Sequence, residues 1–187
     1  MSSKLCRYVY NIIDIRDSVC NILDILEKIT IKIPFLRDWV LGVHERALYK
    51  LLELDLYEPP IRFIVVGGGI FPRTAIILRK LFPDAQIIIQ DMNHKSLRCA
   101  ENYMRNINIT DDIIYLNSIY NGTYIDLTLE NLNSTVVILP LAFRGKIGIA
   151  KPITYKTLKH CWIWDTDPYE KQSLVSYFLL KKIKVLV

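Results

Sequence analysis

Glycine and proline are scarce in this chain of 187 residues, with 7 and 8 respectively, so it is neither collagen-like nor a flexible linker. Its four cysteines, Cys6, Cys20, Cys99 and Cys161, are scattered. No CxxC pair or nearby histidine cluster gives them zinc spacing, so no metal site is expected. They are read as reduced thiols of a cytoplasmic protein without a signal peptide, most of them serving as small core residues. No stretch reaches the ~18 unbroken apolar residues of a membrane span, which argues against a membrane partner. Basic residues exceed acidic ones by 24 to 19 but form no long run, and the excess at Lys181, Lys182 and Lys184 reads as a solvated edge. A nucleic-acid partner is therefore not expected.

What is abundant is apolar: 51% of the residues are hydrophobic. At this length a single core buries roughly 70% of the surface the unfolded chain exposes, without a disulfide or metal staple. Tyr8, Ile12, Ile15, Val19, Ile22, Leu26 and Ile29 recur at steps of three and four, which predicts a helix with one packed side, ended by Pro34. A second helix is predicted from about Phe35 to Leu54, with Leu36, Val40, Val43, Ala47, Leu51 and Leu54 on one face. Pro59 and Pro60 close this preamble. The chain thus divides into a helical N-terminal extension, 1–58, and a second unit, 59–187. The extension suits plain packing, a lid over a site, or a surface for homo-oligomers.

From Ile61 the texture changes to short β-branched runs alternating with helical stretches, the pattern of a parallel sheet with crossover helices. Strands are predicted at Arg62–Val66, Gln86–Gln90, Asp112–Leu116, Thr135–Leu139 and His160–Trp164. A helix runs from about Pro72 to Phe82. Another begins at Asn93 and turns Leu97, Ala100, Tyr103 and Met104 toward the sheet. Ser173–Lys182 fits either a helix or a strand, and Lys184–Val187 reads as a last edge strand. The fold class is α/β: a Rossmann-type, mostly parallel sheet with flanking helices behind the helical extension.

The chemistry points to the order strand, glycine turn, helix, strand, acid. Gly67, Gly68 and Gly69 follow the first strand, and Asp91 ends the second, 91 − 67 = 24 positions on. Such glycines let backbone approach a nucleoside, and the acid is placed to accept hydrogen bonds from both ribose hydroxyls. A pyrophosphate site would want a small residue three positions after Gly69, where this chain has Pro72, which lacks an N–H, with bulky Phe71 beside it. A phosphate-free nucleoside, such as S-adenosylmethionine, fits better.

With these motifs the sequence resembles the class I S-adenosylmethionine-dependent methyltransferases over about Ile61 to Trp164. Gly-Gly-Gly-Ile-Phe-Pro-Arg-Thr-Ala (67–75), Pro-Asp-Ala (83–85), Leu-Pro-Leu-Ala-Phe-Arg-Gly (139–145) and His-Cys-Trp-Ile-Trp (160–164) look like a bacterial group within that superfamily. The first part also looks like nicotianamine synthases, which transfer an aminobutyryl group from the same cofactor. Two positions depart from the pattern: Val65 stands where most methyltransferases have an acid, and Phe71 where many have a third glycine.

The resemblance implies S-adenosylmethionine as cofactor, a small-molecule substrate and methyl transfer to an acceptor that the sequence does not identify. The alternatives are aminobutyryl transfer, a dinucleotide-dependent oxidoreductase, and a non-catalytic interaction protein on the same scaffold. The candidate cofactor contacts are Gly67, Gly68, Gly69, Phe71, Asp91, Met92, Asn93, Asn117 and Pro140. Asn93 either touches the adenine or caps its helix. Arg144 either binds a carboxylate or forms a surface salt bridge, and Arg73 shares that choice. Because Arg73 opposes the helix dipole, a carboxylate partner is expected for it. His160 reads as structural, with Trp162, Trp164 and Asp165 beside it, and His44 and Glu45 reach the site only if the second helix is a lid. No catalytic side chain is assigned.

Overall fold

The computed structural model describes residues 25–49, 60–120, 135–139, 156–162, 170–176 and 181–186. Two helical segments come first, α1 over residues 25–32 and α2 over Pro34–Tyr49. The break between them falls at residue 33, as the proline requires: Pro34 lacks an N–H and is best accommodated at the first position of a new helix. The predicted end of α2 near Leu54, the 58/59 boundary and the first helix before residue 25 lie outside the described residues.

Strand β1 (Arg62–Val66) leads through the glycines into α3 (Arg73–Leu81), β2 (Gln86–Gln90), α4 (His94–Asn106) and β3 (Ile113–Leu116). Then come β4 (Thr135–Leu139), β5 (Lys156–Trp162), β6 (Glu170–Ser176) and β7 (Lys181–Leu186). They form one sheet in the order β3-β2-β1-β4-β5-β7-β6. Strands β1 to β5 pair in parallel, and β7 runs antiparallel to both β5 and β6. The expected α/β Rossmann-type, mostly parallel sheet is therefore present.

Its register explains why the central strands read as unbroken apolar runs. Phe63, Val65, Ile87, Ile89, Val136 and Ile138 pack on one face with Ala75, Leu78, Leu97, Met104 and Leu48. The alternate residues Ile64, Val66, Val137 and Leu139 are buried on the other, with Ile88 and Tyr120 against them. Both faces exclude water, so period-two polarity disappears. Helix α4 is amphipathic as predicted, burying Leu97, Ala100 and Met104, and Asn93 caps it by accepting from the N–H groups of Lys95 at 3.0 Å and Ser96 at 3.3 Å.

Four expectations need correction. The third strand starts at Ile113, because Asp112 has φ 52° and cannot extend it. The fifth starts at Lys156 and ends at Trp162, since pairing with β7 holds its polar first half as firmly as its aromatic end. The tail is two strands, and the last is no edge: β7 is inserted between β5 and β6, so its apolar alternation has neighbours on both sides. Leu26 and Ile29, expected on the packed side of the first helix, are 51% and 43% exposed, while Thr30 is buried. That rotation turns Glu27 inward. Cys99 is exposed on α4. Among the described residues no helix is long and apolar enough to cross a membrane.

Met104 is wholly enclosed between α4 and the sheet. Met104→Ala is expected to lower unfolding free energy by about 2–5 kcal/mol, the range for a buried large-to-small change, as read from the midpoint of urea denaturation.

Candidate functional site

Strand order reverses between β1 and β4, both of which point their C-terminal ends the same way. At such a switch point the connections leave in opposite directions, opening a crevice outside the strand ends. Three segments of the described chain meet there: the turn after Val66, Asp91 after β2 and Asn117 after β3.

The glycines of the turn answer two demands, backbone angle and space. Gly67 and Gly69 have φ of 65° and 64°, a region that side chains rarely adopt. Gly68 is needed for space, because a Cβ there would lie 2.4 Å from the Ile89 Cγ2 methyl. The turn is thus pressed onto β2, and the Gly67 N–H donates to the Gln90 carbonyl at 2.7 Å.

Asp91 is bound into the same arrangement. Its Oδ2 accepts from the Gly69 N–H at 3.3 Å and its Oδ1 from the Asn93 N–H at 2.8 Å. The Asn117 amide donates to the Asp91 carbonyl at 2.9 Å. The predicted residues Gly67, Gly68, Gly69, Asp91, Asn93 and Asn117 are therefore brought together at one edge. Met92 stands at the same corner, 73% exposed. Phe71 is buried and meets Tyr103 edge-on, with ring centroids 5.2 Å apart. Burial raises the Tyr103 phenol above its ordinary pKa, against the opposing pull of Arg37. Pro140, Arg144, Trp164 and Asp165 lie outside the described residues. His160 and Trp162 fall within β5.

Helix α2 packs along α3. His44 Nε2 lies 3.0 Å from Thr74 Oγ1, in the first turn of α3, and Glu45 pairs with Lys80 in its last turn. These contacts join the two helices, and Glu45 is held at the end of α3 away from the glycines.

The residue that sequence reasoning missed is Glu27. Its Oε2 accepts from the N–H groups of Ile70 at 3.1 Å and Phe71 at 3.2 Å, and its Oε1 accepts from Arg73 Nη2 at 2.9 Å. This is the carboxylate partner expected for Arg73. The same Oε2 lies 2.8 Å from where a Cβ on Gly69 would be, so the third glycine also makes room for Glu27. Val65 is core, and the acid at the turn arrives from α1 instead. A polar residue between Leu26 and Ile29 on a predicted apolar helix was the available signal, but its target lies 43 positions away.

Most of the turn's N–H groups have partners within the chain. Those of Gly67, Gly69, Ile70 and Phe71 go to Gln90, Asp91 and Glu27, Pro72 has none, and Arg73 N–H turns back to the Phe71 carbonyl. Three of these donors, Gly69, Ile70 and Phe71, are taken by the chain's own carboxylates instead of an outside anion. What borders Gly69 instead is two acids and one guanidinium.

No protein-family model and no curated protein matches the sequence. Solved structures do match in fold. One is a variant of the nicotianamine synthase MtNAS, with a TM-score of 0.59 at 11% identity, covering 78% of this chain and 59% of that one. MtNAS in complex with S-adenosylmethionine gives 0.58 at 11%, covering 75% and 61%. The mitomycin 7-O-methyltransferase MmcR gives 0.51 at 12% identity, covering 84% of this chain and 59% of that one. The chain has the fold of the class I S-adenosylmethionine-dependent methyltransferases and spans about three fifths of the length of these structures.

Because the Ile89 methyl belongs to a stiff, fully buried side chain, Gly68→Ala is expected to cost about 1–3 kcal/mol through overpacking, measurable as a lowered denaturation midpoint.

Proposed function

We propose that this chain binds S-adenosylmethionine at the β1–β2 edge and transfers its methyl group to a small-molecule acceptor. The observation that carries this reading is the charge at the turn. Glu27 and Asp91 both reach Gly69, and between them they take the N–H groups of Gly69, Ile70 and Phe71. A dinucleotide would bring two phosphates to a place bordered by two carboxylates that already hold three of its N–H groups. An adenosine sulfonium brings positive charge and two ribose hydroxyls.

In this reading Asp91 accepts from the ribose, its carboxylate held in position by the N–H groups of Gly69 and Asn93. Asn117, anchored on the Asp91 carbonyl, borders the adenine. Gly67, Gly68 and Gly69 form the floor, Met92 offers an apolar surface at the mouth, and Asn93 acts through the helix it caps. Phe71 supports the floor from beneath with Tyr103.

The cofactor supplies an activated methyl group: the acceptor's lone pair forms the new bond to carbon while the carbon–sulfur electrons return to sulfur. The protein's part is to hold donor and acceptor in line, which supplies most of the acceleration and asks for no general base when the acceptor is itself nucleophilic. Likeness in fold to MtNAS and to a methyltransferase supports both methyl and aminobutyryl transfer as reactions of such a scaffold, and the products separate them. Methyl transfer leaves S-adenosylhomocysteine, whereas aminobutyryl transfer leaves methylthioadenosine.

Calorimetric titration with S-adenosylhomocysteine is expected to show binding that Asp91→Ala weakens by about 100-fold, the size of two charge-assisted hydrogen bonds at roughly 1.4 kcal/mol per factor of ten. Equal affinity in the two proteins rejects the ribose role. A thermal shift with NAD or NADP but none with S-adenosylmethionine rejects the reading as a whole.

A further inference from the structure

The outer side of α1 is apolar. Ile25, Leu26, Ile29 and, at its end, Ile33 are all exposed, and at 3.6 residues per turn they fall within about 100° of the helix circumference. Glu27, on the opposite side, is the residue that meets the glycine turn. The Ile33 N–H donates to the Ile29 carbonyl at 3.2 Å and the Arg37 N–H to the Ile33 carbonyl at 2.9 Å, so helical bonding runs on past the break before α2. There Phe35 and Trp39, one turn apart, are 82% and 42% exposed. These six side chains present several hundred Å² of apolar surface, at the upper end of what a monomer exposes and a large part of the ~800 Å² per partner that a stable interface buries. Solvent contact of that extent is unfavourable.

The spacing says what kind of surface covers it. Leu26, Ile29 and Ile33 belong to a row at alternating steps of three and four, which in the sequence reaches back through Ile22, Val19, Ile15 and Ile12 to Tyr8, outside the described residues. Such steps average about 3.5, the repeat at which an apolar seam stays against a neighbouring helix over several heptads. A lipid surface or a flat protein face sets no such repeat. The body of this chain does not take the seam, because Leu26, Ile29 and Ile33 are exposed. We infer that the seam of α1 pairs with α1 of a second copy of this chain, in a symmetric dimer in which the same row meets itself. Lys28 and Lys32 are exposed beside the row, where their stems cover its rim and their charges stay in water. Glu27 lies on the inner side of the same helix, so association fixes from outside the element that reaches the turn from within.

The test is sedimentation velocity on the full chain without ligand, which leaves the nucleoside site out of the measurement. The unaltered protein is expected to sediment with the mass of two chains. The double variant Ile29→Glu, Ile33→Glu, at two exposed positions, is expected to sediment as a monomer, its dissociation constant raised at least about 100-fold. Leu26→Ser is the milder change, expected to weaken association about tenfold, and it supplies the measurement if the double variant fails to fold. Ile119→Glu, at an exposed apolar position after β3, is expected to leave the dimer intact. A monomer at about 100 μM unaltered protein, well above the micromolar constants of ordinary stable pairs, overturns the inference. So does association that the seam variants leave unchanged, or that Ile119→Glu weakens equally. A monomer that co-sediments with phosphatidylserine vesicles, and loses them in the double variant, means that the face meets lipid, and the inference falls.

Discussion

A carboxylate from one helix closes two backbone donors of a turn 43 residues away, and the character of the candidate site follows from that contact. The turn is narrow because Gly67 and Gly69 take left-handed backbone angles and Gly68 lies against Ile89. Its N–H groups lie where the strand order reverses, and unsatisfied they would attract an anion. Glu27 satisfies two of them, Asp91 satisfies a third, and Arg73 balances part of the charge. A place with the backbone geometry of an anion site thereby acquires an acidic border.

The rest of the molecule supports this arrangement. Parallel strands buried on both faces fix the ends of β1 and β2 in register from Arg62↔Gln86 to Val66↔Gln90, which aligns the turn with Asp91. Helix α2 is joined to α3 by His44 with Thr74 and by Glu45 with Lys80, so the segment before the sheet is held beside the helix that follows the glycines. Helix α1 buries little of its own apolar surface: Ile25, Leu26 and Ile29 are exposed, while Glu27 links it to the turn. For α1, polar contact outranks hydrophobic burial.

Much of the sheet was legible in the chain. Strands at Arg62–Val66, Gln86–Gln90 and Thr135–Leu139 stood out because a strand buried on both faces is a short, continuous β-branched run bounded by Gly, Pro or Asp. Asn93 was readable as a cap because Asx side chains fit that position, and it caps. The tail was not readable. Glu170–Ser176 and Lys181–Leu186 carry mixed polarity, and only their antiparallel pairing with each other and with β5 makes them strands. The facing of α1 was misread because spacing shows which residues share a side of a helix, whereas what that side meets depends on the rest of the fold.

Local chemistry in the chain was enough to define the α/β class, the three glycines and the acid after the second strand, because backbone angles, periodicity and turn chemistry act over a few residues. It was also enough to show that Arg73 needed an acidic partner, since the helix dipole is local. Which acid would answer, and that the same acid would occupy the turn's amides, was decided only when the chain folded. Residues 27 and 70 are brought within 3.1 Å by the packing of separate elements, and no spacing along the chain encodes that distance.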